Sequence, residues 1–358
     1  LSPCEYLMVE SEFAAMSACI GASAAGARTY TATASQGLLF MAEAVYNAAG
    51  LGLPIVMTIG NRAIGAPINI WNDHTDSMSM RDAGWIQLYA ETNQEAADLH
   101  IQAFRLAEEL SMPVMVCVDG FILTHAYERL DIPTQAQVDA YLPPFEPRQV
   151  LDPQEPVSIG AMVGPEAFME VRYLAHHKQM RALELIPQLS REFRTVFGRD
   201  SGGLIRTYRA EDARTIVVAL GSVNGTIKDV IDELRDAGHA IGAASIVSFR
   251  PFPSDELHEL LSHAKRLVVI EKSLAVGIGG ISLHAYTVVA GLGGRAITKA
   301  SLRGLFERAL RDELEPLTFL DLNQAAINRE LAREKAQRRS GPSAENIRTM
   351  GDKIEAKR

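Results

Sequence analysis

Cysteine is scarce in this chain. Its 358 residues include three, Cys4, Cys19 and Cys117, and none sits in a C-x-x-C pair. That excludes a self-contained zinc site, a four-cysteine iron–sulfur site and a disulfide framework. Three scattered thiols in so long a chain point to a reducing compartment, and the expected location is the cytoplasm. Aromatic residues make up only 6%, too few for base-stacking platforms. Positive charge is also in deficit: 35 Lys and Arg face 44 Asp and Glu, a net charge of −9. A nucleic-acid binder needs a basic stripe against phosphates, so none is expected here. No basic segment precedes an apolar run at the start, so no secretory signal is read. The longest uncharged stretch, 273–294, is long enough to span a bilayer. It holds six glycines besides Ser282, His284 and Tyr286, and reads instead as a buried Gly-rich loop and helix. Phosphate-loop and dinucleotide fingerprints are missing, as is the G-x-S-x-G elbow of serine hydrolases. No repeat of solenoid length is visible.

The chain is 47% hydrophobic and 22% charged, which suits a globular protein. Its length predicts two or three domains. "EYLMVE" (5–10) reads as a short strand and 11–25 as a helix rich in Ala, Gly and Ser, suited to lie under a sheet or at an interface. Thr29–Thr33 alternates as a strand, and Leu38–Ala49 reads as a helix. "LPIVMTIG" (53–60) and "PVMVCVDG" (113–120) are near-continuous apolar runs, as expected of parallel strands covered on both faces. Between them lie a polar loop (61–84), a strand at 85–90 and a helix capped by Thr92. Strand and helix alternate, so the first half is α/β with a parallel sheet.

Seven of the sixteen prolines then fall between residues 130 and 165, marking a long crossover. A long helix is predicted over 166–197. The alternation restarts with strands at "TIVVAL" (215–220), "IGAASIVSF" (241–249) and "RLVVIEK" (266–272), and with an amphipathic helix ending at Gly238. The expected division is 1–200, a smaller α/β domain at 201–318, and a charged tail at 319–358. The last 36 residues hold nine Lys or Arg and five Asp or Glu. They read as an exposed helix lying against a partner, or as a disordered tail.

Several residues could carry chemistry. Glu12 opens the first helix; it either complements the helix dipole or serves as a fixed carboxylate that holds a heterocyclic nitrogen. Arg62 lies just past a buried strand, where open α/β sheets bind ligands, and a guanidinium there can grip a carboxylate in two parallel hydrogen bonds. Asp73, His74 and Asp76 form a D-H-x-D cluster that suits either a divalent ion or turn chemistry. Asp119 closes the strand at 114–118 and reads as an Asx turn. His176 and His177, within a long helix, need no role. "GSVNG" (221–225) resembles a phosphate-cradling turn, although its glycines, with "GIGG" (277–280) and "GLGG" (291–294), suit tight packing better.

These residues also carry a resemblance. "VESEFAAMSACIGASAAGARTYTATASQGLLFM", "LPIVMTIGNRAIGAPINIWNDHTDSMSMRDAGWIQLYAE" and "PVMVCVDGFILTH" resemble the alpha subunits of the pyruvate:ferredoxin oxidoreductase (pyruvate synthase) family. "GPEAFMEVRY", "VVALGSVNGTIKDVIDEL", "SFRPFP" and "VAGLGGR" extend the resemblance to about residue 310. It implies a thiamine-enzyme pyrimidine-binding-type parallel sheet domain followed by a smaller transketolase C-terminal-like α/β domain. It implies oxidative decarboxylation of a 2-oxoacid with coenzyme A, giving acyl-CoA, carbon dioxide and electrons for ferredoxin. By resemblance, Glu12, the second Glu of "VESE", is the carboxylate that tautomerises thiamine diphosphate, and Arg62 holds the substrate carboxylate. The family's "YPITP"-type threonine has no counterpart here and would precede residue 1, which reads as an N-terminal truncation.

The resemblance also assigns what other chains supply. No G-D-G occurs in the sequence. The diphosphate, its Mg2+ and the [4Fe-4S] clusters are therefore expected on the beta, gamma and delta subunits of a heterotetramer, with the active site at the alpha–beta interface. Three alternatives stand beside this: the same reaction on 2-oxoisovalerate or 2-oxoglutarate, a non-catalytic scaffold subunit, and a transketolase-like enzyme without iron–sulfur clusters.

Overall fold

In a computed structural model that describes residues 4–277 and 285–337, strand and helix alternate as the apolar pattern predicts. The first part comprises α1 (Glu12–Ala24), β1 (Thr29–Thr33), α2 (Gln36–Phe40), α3 (Ala42–Leu51), β2 (Ile55–Asn61), α4 (Thr75–Ser79), β3 (Ile86–Tyr89), α5 (Asn93–Leu110) and β4 (Val114–Asp119). The crossover holds α6 (Gln135–Tyr141) and leads into α7 (Phe168–Phe197). The second part comprises β5 (Ile205–Tyr208), β6 (Thr215–Ala219), α8 (Val223–Asp236), β7 (Ile241–Ile246), β8 (Ser248–Arg250), α9 (Ser254–Leu261), β9 (Arg266–Glu271), β10 (Ala285–Val289), α10 (Lys299–Leu310) and β11 (Leu317–Phe319). Residues up to Thr318 form one compact unit, and Phe319 opens a second, which contains α11 (Gln324–Gln337).

The first sheet has the order β1-β2-β4-β3-β8 and the second β11-β10-β9-β6-β7-β5. In the first, β2 pairs in parallel with β1 (Thr31↔Met57) and with β4 (Ile59↔Cys117). Every residue of β4 is buried, as befits a central strand covered on both faces. One core runs from Leu38, Val45 and Met57 to Ile216, Val218 and Ile246, so it joins the two sheets. The other packs Val114 and Val116 of β4 against α5 and the second half of α7. Local signals set the helix ends. Ser11 and Thr92 accept from the backbone N–H groups of Ala14 and Glu95 at 3.2 and 3.1 Å, capping α1 and α5. Thr134 and Gln137 form a reciprocal capping box on α6.

Four expectations need correction. Residues 5–10 form no strand: with no sheet edge pairing them, Tyr6, Leu7 and Met8 stay exposed. The helix at 38–49 is two helices, α2 and α3, which meet at Met41. "IGAASIVSF" is not one strand. The chain leaves the second sheet after Ile246, and β8 pairs antiparallel with β3 of the first, Leu88 opposite Ser248. Of the uncharged stretch, residues 278–284 lie outside the described set, and 285–289 form strand β10 rather than a helix. No described helix is long and apolar enough to cross a membrane. The tail's continuation beyond residue 337 also lies outside the described residues.

Helix α7 runs for 30 residues through Pro187. Its first half is largely exposed, whereas Ala182, Ile186, Leu189, Phe193 and Phe197 are buried. There Phe193 stacks on Phe197, with ring centroids 4.1 Å apart, and meets Tyr141 edge-on at 5.5 Å. Truncating it leaves a cavity between α6 and α7. Phe193→Ala is expected to lower stability by about 3–5 kcal/mol in urea unfolding.

Candidate active site

The candidate residues gather at the carboxyl ends of the first sheet's parallel strands, where such sheets place ligands. β1 ends in the turn 34–37, Arg62 follows β2, and Asp119 closes β4. Glu12 stands in the first turn of α1 with its side chain exposed. Its carboxylate lies against the turn after β1: a Cβ added to Gly37 would sit 2.9 Å from Glu12 Oε1 and 2.6 Å from Thr33 Oγ1. A side chain at residue 37 would therefore displace the Glu12 carboxylate or the Thr33 hydroxyl. On the other side of the same turn, a Cβ on Gly65 would stand 2.6 Å from Gln36 Nε2. The Ser35 hydroxyl donates to the Ala63 carbonyl. The turn thus lies between Glu12 and the loop that carries Arg62. Arg62 Nε is shielded from solvent and has no hydrogen-bond partner among the described residues. That leaves one donor of the guanidinium unsatisfied within this chain's described residues.

In the D-H-x-D segment Asp73 does the expected turn chemistry, accepting from the backbone N–H two residues on, and the other side chains diverge. No three His, Cys, Asp or Glu side chains gather as metal ligands among the described residues. Its three polar residues point to three different places. Asp73 accepts from Thr75 N at 2.7 Å and from Gly293 N at 3.1 Å, while Asn69 Nδ2 donates to Gly293 O at 3.0 Å. The "GLGG" turn thereby docks on the loop. A Cβ on Gly294 would lie 2.2 Å from Trp71 Cβ, so this glycine does serve close packing. His74 Nε2 reaches Asp119 Oδ1 at 2.6 Å, and its backbone N–H donates to Lys272 O at 2.8 Å. Asp76 turns back toward Arg62 and Ser35. Burial pushes its carboxyl above the usual range, opposed by hydrogen bonds from Asn61, Ser35, Arg62 and Ser77.

Asp119 is not the centre of an Asx turn; it is a buried ionic junction. Besides His74 it accepts from Lys272 Nζ at 2.8 Å and from Ser222 N at 3.0 Å, and the Ser222 hydroxyl adds a further bond. Asp119, His74 and Lys272 are each at most 3% exposed. Burial would raise the Asp119 carboxyl, but the Lys272 ammonium and then His74 outweigh it and hold it well below the usual range. An ionised carboxylate only accepts, so His74 Nε2 carries the proton. The "GSVNG" turn cradles this internal anion at the start of α8: a Cβ on Gly221, at φ +71°, would lie 2.9 Å from Asp119 Oδ1. Sequence reasoning missed Lys272 and Ser222. The available signal was a lysine directly after a buried strand, which must find a counter-charge. His176 and His177 are exposed on α7.

Comparisons with known proteins identify the family. Residues 2–191 match the family model described as pyruvate flavodoxin/ferredoxin oxidoreductase, thiamine diP-bdg. Residues 213–302 match pyruvate:ferredoxin oxidoreductase core domain II. The chain is 45% identical to a pyruvate synthase subunit PorA of Methanothermobacter thermautotrophicus, over 89% of this chain and 86% of that protein. It is 46% identical to PorA of Pyrococcus abyssi over 82% of this chain and 78% of that one. A ketoisovalerate oxidoreductase subunit VorA of Pyrococcus horikoshii is 40% identical over 85% of this chain and 81% of that one. Among solved structures, a 2-oxoglutarate:ferredoxin oxidoreductase from Magnetococcus marinus superposes with a TM-score of 0.63 at 16% identity. That match covers 85% of this chain and 57% of the other, and it speaks to the fold alone. The class is therefore an α/β protein with the fold of the 2-oxoacid:ferredoxin oxidoreductases. More particularly, the chain belongs to the pyruvate flavodoxin/ferredoxin oxidoreductase family, with its thiamine diphosphate-binding domain followed by core domain II.

The Asp119 junction makes a direct prediction. Asp119→Ala leaves Lys272 buried without its counter-ion, and should cost about 3–5 kcal/mol. Combined with Lys272→Met, the loss should be less than additive. Asp119's folded pKa is depressed, so its stabilisation is fully present above the unfolded value of about 4 and is lost as pH falls toward the folded one. The gap between wild type and variant should therefore be constant from neutral pH down to about 4 and narrow below it. Urea unfolding across pH measures this.

Proposed function

We propose that the chain is the alpha-type subunit of a pyruvate:ferredoxin oxidoreductase. The reaction is the reversible oxidative decarboxylation of pyruvate with coenzyme A to acetyl-CoA, carbon dioxide and reduced ferredoxin. The observation that carries this reading is the 44–46% identity to pyruvate synthase subunits, extending over as much as nine-tenths of the chain. The identity to a ketoisovalerate oxidoreductase subunit is lower, 40%, so 2-oxoisovalerate is the second substrate to test.

The residues present fit the pyrimidine side of thiamine diphosphate. An exposed carboxylate, Glu12, stands beside a glycine that keeps the approach open, and Arg62 offers a shielded donor without a partner. When bound, the cofactor supplies the nucleophilic carbon and the electron sink that decarboxylation of a 2-oxoacid requires. Glu12 would share a proton with a ring nitrogen of the aminopyrimidine and hold it in that hydrogen bond. Arg62 binds the substrate carboxylate and sets its orientation. The beta subunit is assigned the diphosphate and Mg2+. The partner subunits, beta, gamma and delta, carry the [4Fe-4S] clusters that deliver electrons to ferredoxin. Helix α1 buries only Met16, Ser23 and Ala24, which supports an alpha–beta interface along its small-residue face. The assembly is placed in the cytoplasm. The proposed domain boundary near residue 200 falls between the two family matches, 2–191 and 213–302, and a charged tail follows at 319–358.

In the complex reconstituted with its partner subunits, Glu12→Ala should lower pyruvate turnover by about 10²–10⁴-fold. Unchanged turnover would favour the scaffold alternative. Arg62→Ala should raise KM for pyruvate by roughly 10–100-fold, the worth of a charged hydrogen-bonded contact. Steady-state rates on pyruvate, 2-oxoisovalerate and 2-oxoglutarate decide the substrate, with pyruvate expected to have the highest kcat/KM.

A further inference from the structure

The D-H-x-D segment holds one carboxylate that neither the ionic junction nor the proposed chemistry uses. Asp76 is fully buried in α4. Its Oδ2 accepts from the backbone N–H groups of Ser35 and Arg62, each at 2.9 Å. Its Oδ1 accepts from Asn61 Nδ2 at 2.9 Å and from Ser77 N at 2.7 Å. Both oxygens therefore face only donors. Donors on both oxygens favour the ionised form, against the burial that pushes this carboxyl up.

Those four donors come from separate parts of the fold. Ser35, at φ +51°, belongs to the turn beside Glu12; Asn61 ends β2 and Arg62 follows it. An L-residue at positive φ is held by its surroundings rather than by its own preference. Here the hold is the Asp76 carboxylate on Ser35 N and the Ala63 carbonyl on Ser35 Oγ. Asn61 is also tied to Ser77 Oγ at 2.7 Å, which contacts Tyr89 OH at 2.8 Å. Asp76 is itself a fixed point. Three residues earlier, Asp73 is bound to Gly293, and two earlier, His74 is bound to Asp119 and Lys272. The segment is thus pinned to the second part of the chain on one side and grips the Arg62 and Ser35 backbones on the other.

We propose that Asp76 is a positioning residue that locks the Arg62 backbone and the Ser35–Gly37 turn into one frame, fixing where the guanidinium stands relative to Glu12. This rests on the reading of Arg62 as the group that binds the substrate carboxylate. Asp76 touches neither substrate nor cofactor; it acts through the two backbone N–H groups that share one of its oxygens. An amide here turns its NH2 either on the Ser35 and Arg62 backbones or on Ser77 N, so in each orientation a donor meets a donor. Side chains around the turn stay the same, so the predicted loss is one of alignment.

The test uses the reconstituted complex. Asp76→Asn should raise KM for pyruvate by about 10–100-fold, the scale of an ångström-sized misplacement, while KM for coenzyme A and subunit assembly by size-exclusion chromatography stay unchanged. With Arg62→Ala added, the pyruvate KM should rise no further than in Arg62→Ala alone, since both act through one guanidinium. If Asp76→Asn fails to assemble, Asn61→Ala decides. It removes one donor to the same carboxylate and should raise the pyruvate KM severalfold without changing KM for coenzyme A. The proposal is overturned if Arg62→Ala raises the pyruvate KM and the deciding Asp76 or Asn61 variant does not, or if that variant shifts both KM values alike. If Arg62→Ala leaves the pyruvate KM at the wild-type value, the assignment of Arg62 fails first, and the positioning role falls with it.

Discussion

The rest of the structure depends on the buried carboxylate of Asp119. It ends the central strand of the first sheet and meets Lys272, which directly follows β9 of the second, and Ser222 at the start of α8. Burying this pair removes two charges from water, a cost of several kcal/mol per ion. The local geometry offsets it by giving the carboxylate an ammonium, an imidazole N–H, a backbone N–H and a hydroxyl. Such a junction is unforgiving. It is satisfied only when β4, the loop bearing His74, the "GSVNG" turn and the end of β9 all arrive together. Apolar contacts between the sheets, such as Met57 and Val218 in one core, tolerate small slides; a carboxylate with fixed donors does not. The ionic junction therefore specifies the relative placement of the two sheets, and the shared core supplies most of the energy.

How far this was readable from sequence depended on the range of the interaction. β2 and β4 were legible because strands covered on both faces must be apolar throughout, and Thr92 marked the start of α5 because a helix needs its first N–H groups satisfied. Residues 5–10 misled because β-type composition says that a segment fits a pleated surface, not that a partner strand exists. β8 was hidden for a related reason. Nothing in "IGAASIVSF" encodes that its last residues pair with β3, some 160 positions earlier in the chain. The site divided in the same way. Glu12 and Arg62 were proposed from motif and from position at an element's end, and the fold puts both beside the turn after β1. Asp119 looked like a turn residue because its partners, at 222 and 272, become neighbours only in the folded chain.

The "GSVNG" turn illustrates how a binding motif can be consumed by the fold. A glycine at positive φ followed by a helix start presents N–H groups to an anion, whether that anion is a phosphate or a side chain. Here the anion is internal. Asp119 occupies the place where a Cβ at Gly221 would fall and takes the Ser222 N–H. The phosphate-like signature was physically sound, although tight packing was the expected use of its glycines, and the guest is a side chain. The same holds for the D-H-x-D segment. Its carboxylates and imidazole have the affinity for charge that a metal site needs, yet each is directed to a different protein donor.

This division of labour explains why the proposed active site looks half-finished in one chain. The groups that align it, Asp76 and Asp119, are buried and take several hydrogen bonds each, whereas the groups proposed to act, Glu12 and Arg62, are left exposed or with a donor unpartnered. That contrast is what a shared site requires. A carboxylate proposed to bind a ring nitrogen must not be neutralised by its own chain beforehand, and a guanidinium proposed to bind a substrate carboxylate must keep a donor free. Strength then comes from closure. When a partner covers the mouth of the site, each charge interaction in it is strengthened by the loss of water. The exposed apolar residues Tyr6, Leu7, Met8 and Phe13 flank Glu12 in the sequence, so the segment that carries the acting carboxylate also carries surface that gains by being covered. Assembly and activation of the site would then be one event, driven by apolar burial and expressed as electrostatics.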